Sequence, residues 1–197
     1  MELELVCIRH GATQWNKEKR YLGHTDIGLL QESLTALLPL REELEGMIFR
    51  QIFCSDLKRC RETLEQVYTS STEQVVFDKR LREMDFGAWE GLTYDQLKHI
   101  PLYRHWLDDP QSVTPPGGES WEHFQKRIAE FLDSLAHDMG NDNENNRILI
   151  VTHGGVIRQI AAMTIPGSSF WDYTAEPGSQ LILKLKHVDE TWIGSRG

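Results

Sequence analysis

Two apolar runs in this chain each end in a histidine followed by glycine. The first, Leu3-Glu4-Leu5-Val6-Cys7-Ile8, leads into Arg9-His10-Gly11. The second, Ile148-Leu149-Ile150-Val151, leads into Thr152-His153-Gly154-Gly155. Short runs of this kind read as strands buried on both faces, the signature of a parallel sheet. In such sheets ligands bind beyond the carboxyl ends of the strands. The two runs therefore bring two histidines to one rim, each followed by a glycine that lets the backbone come close to a ligand. Histidine beside a fixed arginine suits an anion whose reacting atom needs a nitrogen nucleophile or a proton partner.

Strands are expected at roughly 3–9, 51–55, 75–78, 147–152 and 180–186, with helical patterns between them. Leu29, Leu30, Leu34, Leu37 and Leu38 recur at helical spacing, and Pro39 should bend or restart that helix. Ser55 or Asp56 is placed to cap a second helix. Thr93-Tyr94-Asp95-Gln96 matches a capping box. Trp121, Phe124, Ile128, Phe131, Leu132 and Leu135 make the stripe of a long helix, and another should run from His153 to Met163. The alternation predicts an α/β fold: a three-layer α/β/α sandwich with a mostly parallel central sheet, one domain over 1–197. Residues 84–118 interrupt it. They are rich in Trp, Tyr, Asp and Pro, and they read as a small inserted lobe over the carboxyl ends of the strands. Residues 141–146 read as a solvated loop.

Charge narrows the partners. The net charge is −9, which argues against nucleic acid or an anionic membrane as the main partner. A small anionic substrate would need a local positive pocket, which Arg9, Arg59 and the two histidines could supply. No stretch of ~18 apolar residues suits a membrane span, and the first residues do not read as a signal peptide. Cys7, Cys54 and Cys60 lack metal-ligand spacing and suit reduced thiols, so a cytoplasmic protein is expected. No pattern speaks to oligomeric state.

Five further segments complete a set, the first four being Trp15-Asn16, Gly23-x-x-Asp26, Ser55-Asp56-Leu57-x-Arg59-x-x-x-Thr63, and Leu81-x-Glu83 with Phe86-Gly87-x-Trp89-Glu90-Gly91. Gly117-Gly118-Glu119-Ser120 follows. In this order, with Arg9-His10-Gly11 and Thr152-His153-Gly154-Gly155, the chain resembles the histidine phosphatase superfamily from Val6 to about Val188. That family includes cofactor-dependent phosphoglycerate mutases and many small phosphatases.

The resemblance implies roles. His10 would attack phosphorus and carry the phosphoryl group. Arg9 and Arg59 would clamp the phosphoryl oxygens with planar donor forks. His153 would stabilise the charge that develops in the transition state. Asn16 would donate to a phosphoryl oxygen, and the backbone of Gly23 and Gly154 would lie against the same group. Glu83 would protonate the leaving oxygen and then take a proton from water, with Asp85 and Glu90 as rival acids. The other histidines (His24, His99, His105, His123, His137 and His187) are assigned to surface or packing. Trp89, Trp106 and Trp121 are assigned to packing.

A zinc site built from His10, His153 and Glu83 is the chemical rival. The arginine beside the first histidine opposes it, as does the lack of a closely spaced ligand pair. Gly-Lys-Ser/Thr and Gly-x-Gly-x-x-Gly loops are absent from the sequence, and no metal or cofactor is expected. Between Glu83 and Gly118 the only fixed cations are Lys98 and Arg104. That favours water over a second hydroxyl as acceptor, and a small-molecule phosphomonoester as substrate. Within the family, the Phe86–Gly91 and Pro116–Ser120 segments look most like small bacterial phosphatases of the α-ribazole-phosphate type and related broad-specificity enzymes. A phosphoglycerate mutase is the alternative. A non-catalytic phosphate-binding module is disfavoured because both His10 and Glu83 are present.

Overall fold

In the computed structural model, which describes residues 2–69, 75–138 and 146–197, a six-stranded sheet carries the chain. In chain order the strands are β1 (Glu2–Arg9), β2 (Gln51–Cys54), β3 (Val75–Phe77), β4 (Arg147–Thr152), β5 (Gln180–Val188) and β6 (Thr191–Arg196). The helices are α1 (Gln14–Lys17), α2 (Gln31–Ala36), α3 (Leu38–Leu44), α4 (Lys58–Val67), α5 (Tyr94–Leu97), α6 (Pro101–Asp108), α7 (Trp121–Asp138) and α8 (Gly154–Thr164). The sheet order is β3-β2-β4-β1-β5-β6. The β3–β2, β2–β4 and β4–β1 pairs are parallel, and β5 and β6 close the edge antiparallel.

The apolar runs are explained by burial on both sides. Side chains alternate across a strand. Leu5, Cys7, Ile148 and Ile150 pack on one face against Phe124, Ile128 and Phe131 of α7 and Ile157 and Ile160 of α8. Val6, Ile8, Leu149 and Val151 pack on the other against Leu40 and Leu44 of α3 and Cys60, Leu64 and Val67 of α4. Cys7 and Cys54 are buried core residues, as expected. This is the anticipated three-layer sandwich. The register aligns Arg9 with Thr152, so His10 and His153 leave the sheet side by side.

One detail matches expectation and others differ. Pro39 does restart the leucine-rich helix, since α2 and α3 meet at Leu37 with Pro39 in the first turn of α3. Neither Ser55 nor Asp56 caps α4. Its N-cap is Leu57, and the Asp26 carboxylate accepts the Lys58 amide at 2.6 Å instead. β6 has no counterpart among the expected strands. Residues 141–145 lie outside the described residues.

Residues 84–118 add no strand to the sheet. They carry α5, begun by the expected Thr93–Gln96 capping box, and α6. Trp89, Leu97 and Tyr103 form a separate small core with Tyr21, Phe86 and Trp106 around it. Among the described residues no helix is long and apolar enough to cross a membrane.

Candidate active site

Beyond the ends of β1 and β4 the rings of His10 and His153 meet edge to face, with centroids 5.1 Å apart. His10 is 3% exposed, and His153 and Arg59 are fully buried. The His10 Nδ1 lies 2.7 Å from the Gly11 carbonyl. A carbonyl only accepts, so Nδ1 carries the proton and Nε2 keeps its lone pair. Burial comes first, and the Arg59 and Arg9 charges second, in holding the His10 pKa well below 6.5. The imidazole is therefore neutral around neutral pH.

His153 is fixed by both nitrogens. Arg59 Nη2 sits 3.2 Å from its Nδ1, and the Ser55 hydroxyl 2.9 Å from its Nε2. Guanidinium only donates, so Nδ1 accepts and Nε2–H donates to Ser55. Burial, followed by the charge of Arg59, pushes the His153 pKa well below 6.5 as well. Cys60 Sγ lies 3.4 Å from the same Nε2. Burial raises that thiol to about 12, so it remains an uncharged neighbour.

Arg59 reaches the site from α4. It donates to the Thr25 carbonyl at 2.9 Å and the Gly23 carbonyl at 2.7 Å. Arg9 donates to the Ala175 carbonyl. No carboxylate touches either guanidinium among the described residues, and Arg9 Nε and Arg59 Nε are buried without an acceptor. A buried Arg59 and a partly buried Arg9, held by neutral carbonyls and, for Arg59, the His153 ring nitrogen, carry a desolvation cost that an incoming anion offsets. Here the local field runs opposite to the net charge of −9.

Glu83 enters from the loop that follows β3. Its Oε2 accepts the Gly155 amide at 2.9 Å, in the first turn of α8, and its Oε1 accepts the Met84 amide at 3.0 Å. A Cβ on Gly155 would sit 2.2 Å from Glu83 Oε1, so glycine here is what makes room for the carboxylate. Gly154 lies beside Arg9, where a Cβ would come 3.4 Å from Nε. Gly23 is closed in by the Met84 carbonyl and Glu90, both 2.3 Å from a built Cβ.

The rival acids are occupied elsewhere. Glu90 accepts from the amides of His24 (2.7 Å), Thr25 (2.7 Å) and Phe86 (3.2 Å), and from the Thr25 hydroxyl. Burial pushes this carboxyl up, but those hydrogen bonds outweigh it and hold the pKa below the usual 4.5. Asp85 accepts the Gly87 amide at 2.8 Å and faces His24 Nδ1 at 3.4 Å. Asn16 spends its Oδ1 on the Thr13 amide and hydroxyl, both at 3.0 Å, which leaves its amide hydrogens as the donors.

The remaining motif residues fasten these parts together. Thr63 accepts the Gly11 amide at 3.0 Å and donates to the Arg59 carbonyl. Asp56 takes Arg82 in a two-point pair at 2.7 and 2.6 Å. Thr152 donates to the Leu81 carbonyl at 2.7 Å. Two residues that hold Glu83 escape the sequence reading. Arg127 of α7 pairs with Glu119 and donates to the carbonyls of Arg82 and Glu83. His24, assigned to surface or packing, places Nε2 3.0 Å from the Glu83 carbonyl. Among the described residues no three His, Cys, Asp or Glu side chains gather as a metal ion would require.

A family model described as the histidine phosphatase superfamily (branch 1) matches residues 5–193, and the chain belongs to that family. The adenosylcobalamin/α-ribazole phosphatase of Salmonella typhimurium is 31% identical over 180 residues, covering 89% of this chain and 87% of the relative. A phosphoglycerate mutase-like protein of Arabidopsis thaliana is 31% identical over 170 residues, 84% of this chain and 72% of the relative. The crystal structure of the α-ribazole phosphatase of Shigella flexneri superposes with a TM-score of 0.85 at 27% identity, over 99% of this chain and 95% of that one.

Proposed function

We propose that this protein is a metal-independent phosphomonoester hydrolase that works through phospho-His10, with α-ribazole 5'-phosphate as its natural substrate. The observation that carries the reading is the unpaired Nε2 of a neutral His10, set among arginine N–H groups that lack acceptors. The phosphoryl oxygens enter between Arg9 and Arg59, with the Asn16 amide and the backbone at Gly23 and Gly154 around them. His10 Nε2 forms a bond to phosphorus as the ester P–O bond breaks, and the Glu83 carboxyl gives its proton to the leaving oxygen. Water then attacks phosphorus, Glu83 takes a proton back, and the N–P bond breaks to release phosphate. A dianion beside His153 raises that group's proton affinity.

The α-ribazole assignment is supported by the names of the relatives and by the short 84–118 lobe. The whole of 1–197 is read as one catalytic domain. Three buried free cysteines suit the reducing cytoplasm. The test compares kcat/KM for α-ribazole 5'-phosphate, sugar phosphates and 3-phosphoglycerate, and assays mutase turnover with 2,3-bisphosphoglycerate. Preference for α-ribazole 5'-phosphate is expected. Even efficiency across the monoesters would leave a broad-specificity phosphatase, and mutase turnover above hydrolysis would overturn the hydrolase reading.

A further inference from the structure

Glu83 lines a cleft of about 180 Å³. Its walls come from three parts of the chain: Phe86 and Trp106 of the lobe, Trp121 at the start of α7, and Phe170 and Trp171 beyond α8. The last two sit on a single helical turn, Phe170–Asp172, held by a capping box between Ser169 and Asp172. Phe170 is braced edge to face on Trp121, with centroids 4.9 Å apart, and Arg158 of α8 lies 5.7 Å over its ring. Trp171 stands at 81° to Phe170 and is 63% exposed. A tryptophan this open at the mouth of a cleft is a surface left for a ligand rather than a core anchor.

A second, independent observation concerns polar groups. Trp106 Nε1, Trp121 Nε1 and Arg158 Nε are all buried without a partner, and all three residues line this cleft. Trp121 is 6% exposed. Each of these atoms can only donate, and buried donors are normally paired. The residues that line the cleft thus bring three such donors close behind its aromatic faces. Its volume is below the ~300–1,000 Å³ of a drug-sized site, which suits one flat ring system.

We propose that this cleft is the leaving-group subsite, and that it takes a planar aromatic ring bearing hydrogen-bond acceptors, stacked on Trp171 and met by Arg158. The inference rests on the phosphatase reading for its orientation: the phosphoryl group lies at His10, the ester oxygen at Glu83, and the ring beyond it. It places part of the specificity on α8 and the Phe170–Asp172 turn, beside the lobe residues Phe86 and Trp106. The two cations counted in the lobe, Lys98 and Arg104, thus omit the one that faces the leaving group.

The test uses three alkyl phosphates with similar leaving oxygens: 2-(quinolin-4-yl)ethyl, 2-(naphthalen-1-yl)ethyl and 1-propyl phosphate. For the unaltered protein, kcat/KM is expected to be about tenfold or more higher for the ring-bearing esters than for the propyl ester, as ring stacking supports. The quinoline ester should exceed its naphthalene counterpart. Trp171→Ala should bring both ring-to-propyl ratios towards one, and its exposure keeps the fold intact. Arg158→Met should lower the quinoline-to-naphthalene ratio specifically. Ratios near one in the unaltered protein, or equal losses on all three esters, would overturn the proposal. If no ester is turned over, the phosphatase reading fails, and binding of the matching phosphonates by calorimetry decides the subsite alone. Tighter binding of the ring-bearing phosphonate, lost in Trp171→Ala, supports it, and equal binding overturns it.

Discussion

Gly155→Ala separates fold from chemistry at one atom. The added Cβ would lie 2.2 Å from Glu83 Oε1 and 3.1 Å from its Cδ. Carbon and oxygen settle near 3.5 Å, so the carboxylate must retreat by roughly 1 Å. Its seat on the Gly155 amide, 2.9 Å long, is strained or lost with it. A misplacement of that size costs on the order of 10²-fold in rate. Stability should change little, because the lost Glu83–Gly155 hydrogen bond offsets the helical gain. Gly155 lies in the first turn of α8 with ordinary helical backbone, where Gly→Ala adds up to about 1 kcal/mol. The assay pairs thermal melting with kcat/KM on an alkyl phosphate and on 4-nitrophenyl phosphate. The alkyl ester needs a proton on its leaving oxygen and should lose the full factor, while phosphorylation by the aryl ester should lose much less. An alanine variant that retains its alkyl phosphatase rate would refute the placement of the acid.

Other outcomes follow from the same geometry. Glu90→Gln should cost about 2–3 kcal/mol, because an amide nitrogen is turned towards donors now met by a carboxylate; a change in leaving-group dependence rather than in melting temperature would make Glu90 the acid. Both site histidines have folded pKa values below the unfolded 6.5, so the unfolded chain binds more protons below that pH and stability falls with acidity. Together they should remove about 2 kcal/mol between pH 6.5 and 5.5, measured by urea unfolding. His153→Asn should halve that loss, and an unchanged pH slope would count against a buried neutral imidazole. Turnover should persist in excess chelator; loss restored by zinc or magnesium would revive the metal reading.

What the sequence revealed depended on whether a residue's role is local. β1 and β4 were legible because both of their faces are buried, which writes a continuous apolar run. β6 was not. Only Trp192 of Thr191–Arg196 is buried, and the hairpin turn places Asp189 and Glu190 at φ +46 and +63. That turn favours Asn-Gly or Asp-Gly, so Asp-Glu gives no signal. The α4 cap failed for a related reason, since Asp26 arrives from 32 residues away.

In the site, His10, Arg59, Glu83 and His153 carried a recognisable order and do converge. His24 and Arg127 did not stand out, because each acts on backbone carbonyls that no side-chain pattern records. Phe170 and Trp171 belong to no motif in the sequence, and the fold brings them to the same cleft as Phe86 and Trp106 of the lobe.

The central claim is that His10 Nε2 carries the phosphoryl group. Rapid quenching of the protein with labelled substrate, followed by peptide mass spectrometry and phosphorus NMR, tests it directly. The account predicts one acid-labile, base-stable phosphoryl group per chain, on His10 and on the nitrogen opposite the Gly11 carbonyl contact, and none in His10→Ala. A phosphoryl group on another residue, or one still trapped by His10→Ala, would contradict it.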